Sequence, residues 1–311
     1  MILSQKMLAK LFHSNVREIN NFCKKLLNRK IQYKFLKRNE IDAIVIKILQ
    51  KIFEDKQIIN TPKRKRVWSK GWEEVLKSYH KNKNLKSLIP KFYTHRENKI
   101  FRLGGQFIKV NKPSFEIYMV NIFRHWYFKR YFSSVNNIYE FGAGTGHNLI
   151  ELSNIFPKKK LYGSDFVKSS VNLLKLISLK KKINLQAFLF NMLKPNIKYK
   201  ILNKSGIFTS GAIEQLGGDI SKFINYLVNQ KPEVIVHVEP TAYFYKLDKL
   251  PDVLGKIFQT KRGYSSNLLT FLKKLESEKK IKILKTFRSP FGSLMMEGYD
   301  FIAWKPINYD F

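Results

Sequence analysis

The chain is short of cysteine, of acidic residues and of long apolar runs, and each shortage removes a class of protein. Cys23 is the one cysteine in 311 residues, so no disulfide can close within a chain and no multi-thiolate metal site can be built. No apolar stretch approaches the ~18 residues that cross a bilayer as a helix. Met1 to His13 is broken by Gln5, Lys6 and Lys10 and lacks the compact apolar block of a secretory signal. A cytoplasmic location is the expectation. Asp and Glu number 23 against 58 Lys and Arg, a formal net charge of +35. That charge attracts nucleic acid, anionic membrane surfaces or phosphorylated compounds. The lysines nevertheless run along the whole chain and far outnumber the arginines, with Ile and Asn also abundant, as AT-rich coding produces. Nucleic-acid readers concentrate charge in a stripe and use the bidentate fork of Arg. Charge alone decides little here.

What is present suffices for a buried core, since 44% of residues are hydrophobic and nothing in the composition suggests disorder. Residues 1 to about 135 read as helices and connecting loops. Ile19, Phe22, Cys23, Leu26 and Leu27 have the spacing of one apolar helix face. A second helix is predicted from Glu40 to Glu54, with Ile41, Ile44, Val45, Ile48, Leu49 and Ile52 inward and Asn39 as N-cap. Thr61 to Lys70, with Pro62 and the basic run Lys63–Arg66, reads as an exposed linker. Pro90, Gly104, Gly105 and Pro113 mark irregular chain with a short hairpin, and an aromatic helix follows from Ser114 to Phe132. From 136 onward strands and helices alternate. The strands are Asn137–Phe141, Lys160–Ser164, Asn184–Phe190, Gly206–Thr209, Glu233–Val238, Ile281–Phe287 and Tyr299–Trp304. The helices are Gly146–Phe156, Lys168–Leu179, Ile220–Gln230 and Ser266–Lys279. This rhythm predicts an α/β fold with a mostly parallel sheet covered on both faces, the last two strands pairing antiparallel. Pro240–Arg262 matches no motif.

The sharpest signal is Tyr139-Glu140-Phe141-Gly142-Ala143-Gly144-Thr145-Gly146-His147, a strand running into a glycine turn and then a helix. Glycine lets the backbone turn tightly and approach a ligand, and the helix start offers unpaired N–H groups. The spacing is G-x-G-x-G, with His147 where a dinucleotide fingerprint needs its third glycine. Glu140 stands just before the turn, where a carboxylate opposes a pyrophosphate but tolerates a cation. The stretch resembles motif I of class I S-adenosylmethionine (SAM)-dependent methyltransferases.

That resemblance spans about residues 136–305 and implies a Rossmann-like fold, a seven-stranded sheet whose last strand is antiparallel, and SAM as cofactor. It implies cofactor contacts from Glu140, Gly142, Ala143, Gly144 and Gly146. Asp165 is to accept the ribose hydroxyls beside Phe166, and Asn191 with Met192 to meet the adenine. Asn191 departs from the more frequent Asp, though its amide oxygen still accepts. An N-cap role for Asp165 and a turn-forming role for Asn191 are the plainer alternatives. Ser210 closes the fourth strand, in Thr209-Ser210-Gly211-Ala212-Ile213-Glu214-Gln215, where small residues leave room for the cofactor. Family members often carry Glu-His there; Gln215 replaces the His and weakens a general base at that spot, while Glu214 is retained.

Candidates for managing the acceptor's proton are His237, Glu239 and Glu214, with packing against the sheet the plainer reading of His237. The Asn/Asp-Pro-Pro-Tyr of base-amine methyltransferases is missing, which disfavours nucleic acid as substrate. The expectation is methyl transfer to a hydroxyl or other nucleophile of a small molecule, such as a sugar, surface-polysaccharide or natural-product precursor, by domain 136–311. Residues 1–135 are to form a helical cap, with Trp68, Trp72 and Tyr93 over the substrate and Arg96 and Arg102 gripping any anionic group. No metal is expected. Two other readings are an RNA-binding protein on a methyltransferase-like scaffold and an NAD-dependent Rossmann enzyme, the latter opposed by the glycine spacing.

Overall fold

A computed structural model describes residues 1–57, 59, 62–90, 93, 99–264 and 267–307, without the side chains of 62–64. In chain order the first elements are α1 (Gln5–Leu11), α2 (Asn21–Leu27), β1 (Tyr33–Phe35), α3 (Arg38–Glu54), α4 (Pro62–Asn82), β2 (Ile100–Leu103), β3 (Gln106–Val110) and α5 (Phe115–Phe132). There follow β4 (Asn137–Phe141), α6 (His147–Ile155), β5 (Lys160–Asp165), α7 (Lys168–Lys181), β6 (Leu185–Leu189), β7 (Ser205–Ser210) and α8 (Ser221–Gln230). The last are β8 (Val234–Glu239), α9 (Leu250–Arg262), α10 (Leu268–Ser277), β9 (Ile281–Phe287), β10 (Phe291–Gly292) and β11 (Asp300–Pro306).

The main sheet has seven strands in the order β6-β5-β4-β7-β8-β11-β9. Neighbours from β6 to β8 pair parallel, and β11 runs antiparallel to both β8 and β9. This is the Rossmann-like α/β arrangement that the strand-helix rhythm predicts. β4 and β8 are buried along their whole length, as central strands covered on both faces must be. The parallel strands all end at one edge. Glu140, Ser210 and Glu239 arrive there, and Asp300 joins them because antiparallel β11 starts where β8 ends.

Three features of the N-terminal part differ from expectation. Residues 61–70 are not a linker: the described backbone from Pro62 onward is helical. Pro62 suits a first helical turn, Lys and Arg are good helix formers, and Glu73 pairs with Lys77 at 2.9 Å. Trp68, Trp72, Val75, Leu76 and Tyr79 recur at helical spacing, and the last three pack with Leu173 and Ile177 of α7. Second, α3 starts before Asn39. Glu40 accepts the Lys37 N–H at 3.0 Å, which draws the cap forward to Lys37. Third, the region is not purely helical, because β1, β3 and β2 form an antiparallel sheet completed by β10 from the far end of the chain. In α2, Phe22 lies outward, stacked on His125 at 3.4 Å.

The core runs across residue 135. Helix α5 is buried nearly all round, and Phe123, Trp126 and Phe128 share one cluster with Ile138, Phe208, Val236 and Phe301 of the main sheet. No helix among the described residues is long and apolar enough to cross a membrane.

Candidate functional site

The turn after β4 is built by its glycines. Gly142, Gly144 and Gly146 have φ of +77°, +51° and +73°, which side chains strongly disfavour. Space forbids a side chain as well. A Cβ on Gly142 would lie 2.4 Å from the Ala212 Cβ, and one on Gly146 2.5 Å from Leu174 Cδ2. Gly142 and Ala143 donate to the Ser164 carbonyl at 2.9 and 2.8 Å. Gly144 N–H donates to Asp165 Oδ2 at 3.0 Å, and Ser170 Oγ donates to the Gly144 carbonyl at 2.6 Å.

Asp165 therefore ties the glycine turn to the tip of β5. Its other oxygen accepts the Val167 N–H at 3.0 Å, which shapes the turn into α7 without capping that helix. Burial raises its pKa, opposed by these backbone donors. The two tips open into a cavity of about 690 Å³. Of the residues expected around a cofactor, Gly142, Asp165, Phe166, Asn191 and Met192 line it. Gly211 and Ala212 line it where Ser210 was expected, one step further along the chain. Asn191 Oδ1 accepts the Leu193 N–H at 2.9 Å, so the residue does form a turn while facing the cavity.

Glu140 is buried and is not part of that lining. Asn148 Nδ2 donates to its Oε1 at 2.7 Å, while Oε2 has no partner among the described residues. Burial pushes its carboxyl up to about 8, with Asn148 and Arg124 pulling the other way. Arg124 of α5 reaches His147 Nδ1 at 2.9 Å, Asn148 Oδ1 at 3.3 Å and Glu151 at 3.4 Å. Burial first, then Arg124, holds the His147 imidazole down at about 3. Sequence reasoning missed Arg124 and Asn148, because nothing local ties an arginine on a preceding helix to the glycine turn.

At the ends of β7 and β8 the acids separate by environment. The Glu239 carboxylate accepts the amides of Ala212 at 3.0 and 3.2 Å, Ile213 at 3.0 Å and Glu214 at 3.4 Å. It organises the loop that lines the cavity. Burial and the neighbouring Glu239 drive the Glu214 carboxyl well above the ordinary range. Nearby on the α5 side, Tyr299 OH donates to Glu116 Oε1 at 2.9 Å, and Tyr93 hydrogen-bonds Tyr299. Burial lifts Glu116 to about 7.

Two residues expected at the site are placed away from the cavity. His237 is fully buried in β8, bonded through Nδ1 to Thr209 Oγ1 at 2.9 Å and packed toward Trp304. Burial holds it down at about 3, and it is not part of the cavity lining. Arg102 is also fully buried, spending its guanidinium on the carbonyls of Pro251 at 2.6 Å, Met295 at 2.9 Å and Leu294 at 3.2 Å. It is closed off from the cavity, whose lining does not include it. Arg96 lies outside the described residues. Trp68 and Trp72, expected over the substrate, line the same cavity as Asp165.

Fold and turn together define a Rossmann-like domain with a glycine-built cavity at the carboxyl edge of its sheet. No family model matches the chain, and no curated protein matches it. Solved structures with a similar fold include an O-methyltransferase, NcsB1, from neocarzinostatin biosynthesis, in complex with SAM and 2-hydroxy-5-methyl naphthoic acid. It shares 10% identity over 61% of this chain and 58% of that one, at a TM-score of 0.42. The pyocyanin biosynthetic protein PhzM shares 13% over 62% of this chain and 56% of that one, at 0.45. A SAM-dependent methyltransferase from Aquifex aeolicus shares 16% over 59% and 89%, at 0.41. The match thus spans little more than half the length of NcsB1 and of PhzM.

Proposed function

We propose that the chain is a SAM-dependent methyltransferase acting on a hydroxyl of a small molecule, with sugars and natural-product precursors as the acceptor class. The observation that carries this reading is the strand-tip pair. Three glycines in the left-handed region are closed onto Asp165 by a backbone N–H, at the mouth of a cavity of about 690 Å³. When bound, SAM supplies an electrophilic methyl group on a sulfonium. The residues present fit it. Asp165 keeps lone pairs for ribose hydroxyls, and Met192 and Asn191 face the cavity.

A hydroxyl acceptor accords with the polar lining that Asn191 and Gln215 add to the cavity, since amides both donate to and accept from hydroxyl groups. Transfer to a hydroxyl releases one proton, and the lining carboxylate Asp165 is held by backbone N–H groups. In this reading Glu239 holds the loop that lines the cavity.

Calorimetry with SAM and S-adenosylhomocysteine (SAH) tests the proposal. Wild type binds both, and Asp165→Ala weakens both by at least about tenfold, the loss of a hydrogen-bonding carboxylate. Absence of binding to wild type, or an Asp165→Ala variant that binds as well, overturns it. Salt-sensitive RNA binding without SAM affinity would favour a nucleic-acid role instead.

A further inference from the structure

The cavity that Asp165 opens into has a charge problem. Its described lining carries Lys65 and Lys194 against one carboxylate, and the whole chain has a net charge of +35. That carboxylate, Asp165, already accepts two backbone N–H groups. Glu140 and Glu214 are buried, raised in pKa and absent from the lining. The lining thus offers a cation two lysines and one carboxylate already engaged by backbone N–H groups. What the cavity offers instead is aromatic. Trp68 and Trp72, one helical turn apart on α4, stack with ring centroids 5.2 Å apart and planes at 26°. The Trp72 ring reaches the glycine turn itself, Cζ2 and Cη2 lying 3.0 and 3.4 Å from where a Gly144 Cβ would stand. Any side chain at 144 would push the indole away.

We propose that this indole pair is the cation-binding wall of the cavity, recognising the sulfonium of the methyl donor and selecting it over the neutral spent product. The inference rests on the methyltransferase reading and extends it to discrimination between SAM and SAH. The π face of Trp attracts a cation within about 6 Å and gains nothing from a neutral thioether of the same shape. A positively charged protein thereby holds a positively charged cofactor without a carboxylate that its lysines would neutralise. The pair also places α4 over the cofactor rather than over the acceptor. Ser169 Oγ of α7 donates to the Ser69 carbonyl at 3.1 Å, anchoring α4 midway between the two indoles.

Calorimetric titration of the full chain with SAM and with SAH, for wild type, Trp72→Leu, Trp72→Phe and Trp68→Leu, tests this. Wild type should prefer SAM roughly three- to tenfold, the range of one partly desolvated cation–π contact. Trp72→Leu should lose that preference by weakening SAM alone, with SAH affinity changed less than about twofold, and Trp72→Phe should restore part of it. A readout without variants comes from emission, since the two other tryptophans, Trp126 and Trp304, lie in the core at 1% and 0% exposure. SAM at saturation should quench wild-type fluorescence more than SAH does, and Trp72→Phe should reduce the difference. Equal weakening of both ligands, as simple packing against adenine would give, overturns the proposal. So do unchanged affinities or a wild type without preference for SAM. If wild type binds neither ligand, the methyltransferase reading falls and this inference with it.

Discussion

Glu140→Gln removes a titrating proton from beneath the glycine turn but keeps an oxygen for Asn148 Nδ2, which donates to it at 2.7 Å. Burial holds the carboxyl at about 8 against an ordinary 4.5. Between those values the folded chain keeps a proton that the unfolded chain has released. The contribution of Glu140 to stability is therefore full below 4.5 and is lost as pH climbs toward 8. From about pH 5 to about pH 7 the loss amounts to roughly 2 to 3 kcal/mol, at about 1.4 kcal/mol per unit. Glu116, also raised, remains in both proteins and cancels in the difference. Urea unfolding of wild type and variant at both pH values reads the effect directly. The variant should gain about 2 to 3 kcal/mol relative to wild type on going to the higher pH. Parallel pH dependences, within about 0.5 kcal/mol, refute the argument.

Other substitutions separate scaffold from site. Glu239→Ala strands the buried amides of Ala212, Ile213 and Glu214, and should cost at least about 3 kcal/mol in urea unfolding. A loss under about 1 kcal/mol would mean the loop is held by something else. His237→Phe forfeits the Thr209 bond and about 1 to 2 kcal/mol, yet should leave SAM affinity within twofold. A tenfold loss of affinity would return His237 to the site. Arg102→Met should destabilise by about 3 kcal/mol or more through three orphaned carbonyls, again with cofactor affinity unchanged in calorimetry.

The sequence by itself determined the main sheet and the glycine turn. Both are local in origin: apolar runs such as Val234–Val236 make doubly covered strands, and Gly142, Gly144 and Gly146 are readable because side chains do not tolerate their φ. Helix α4 was also legible in the spacing of Trp68, Trp72, Val75, Leu76 and Tyr79, but the basic run before them reads as solvated loop. Tertiary structure alone decided what the charged groups do. Arg102 and His237 look like site residues in one dimension, and only packing shows their partners to be carbonyls and Thr209. Arg124, the Glu214–Glu239 pair and the indole wall join elements far apart in the chain. The reason is physical. Periodicity records which side of an element is buried, whereas the protonation and partners of a buried group depend on the other chain segments that exclude its water.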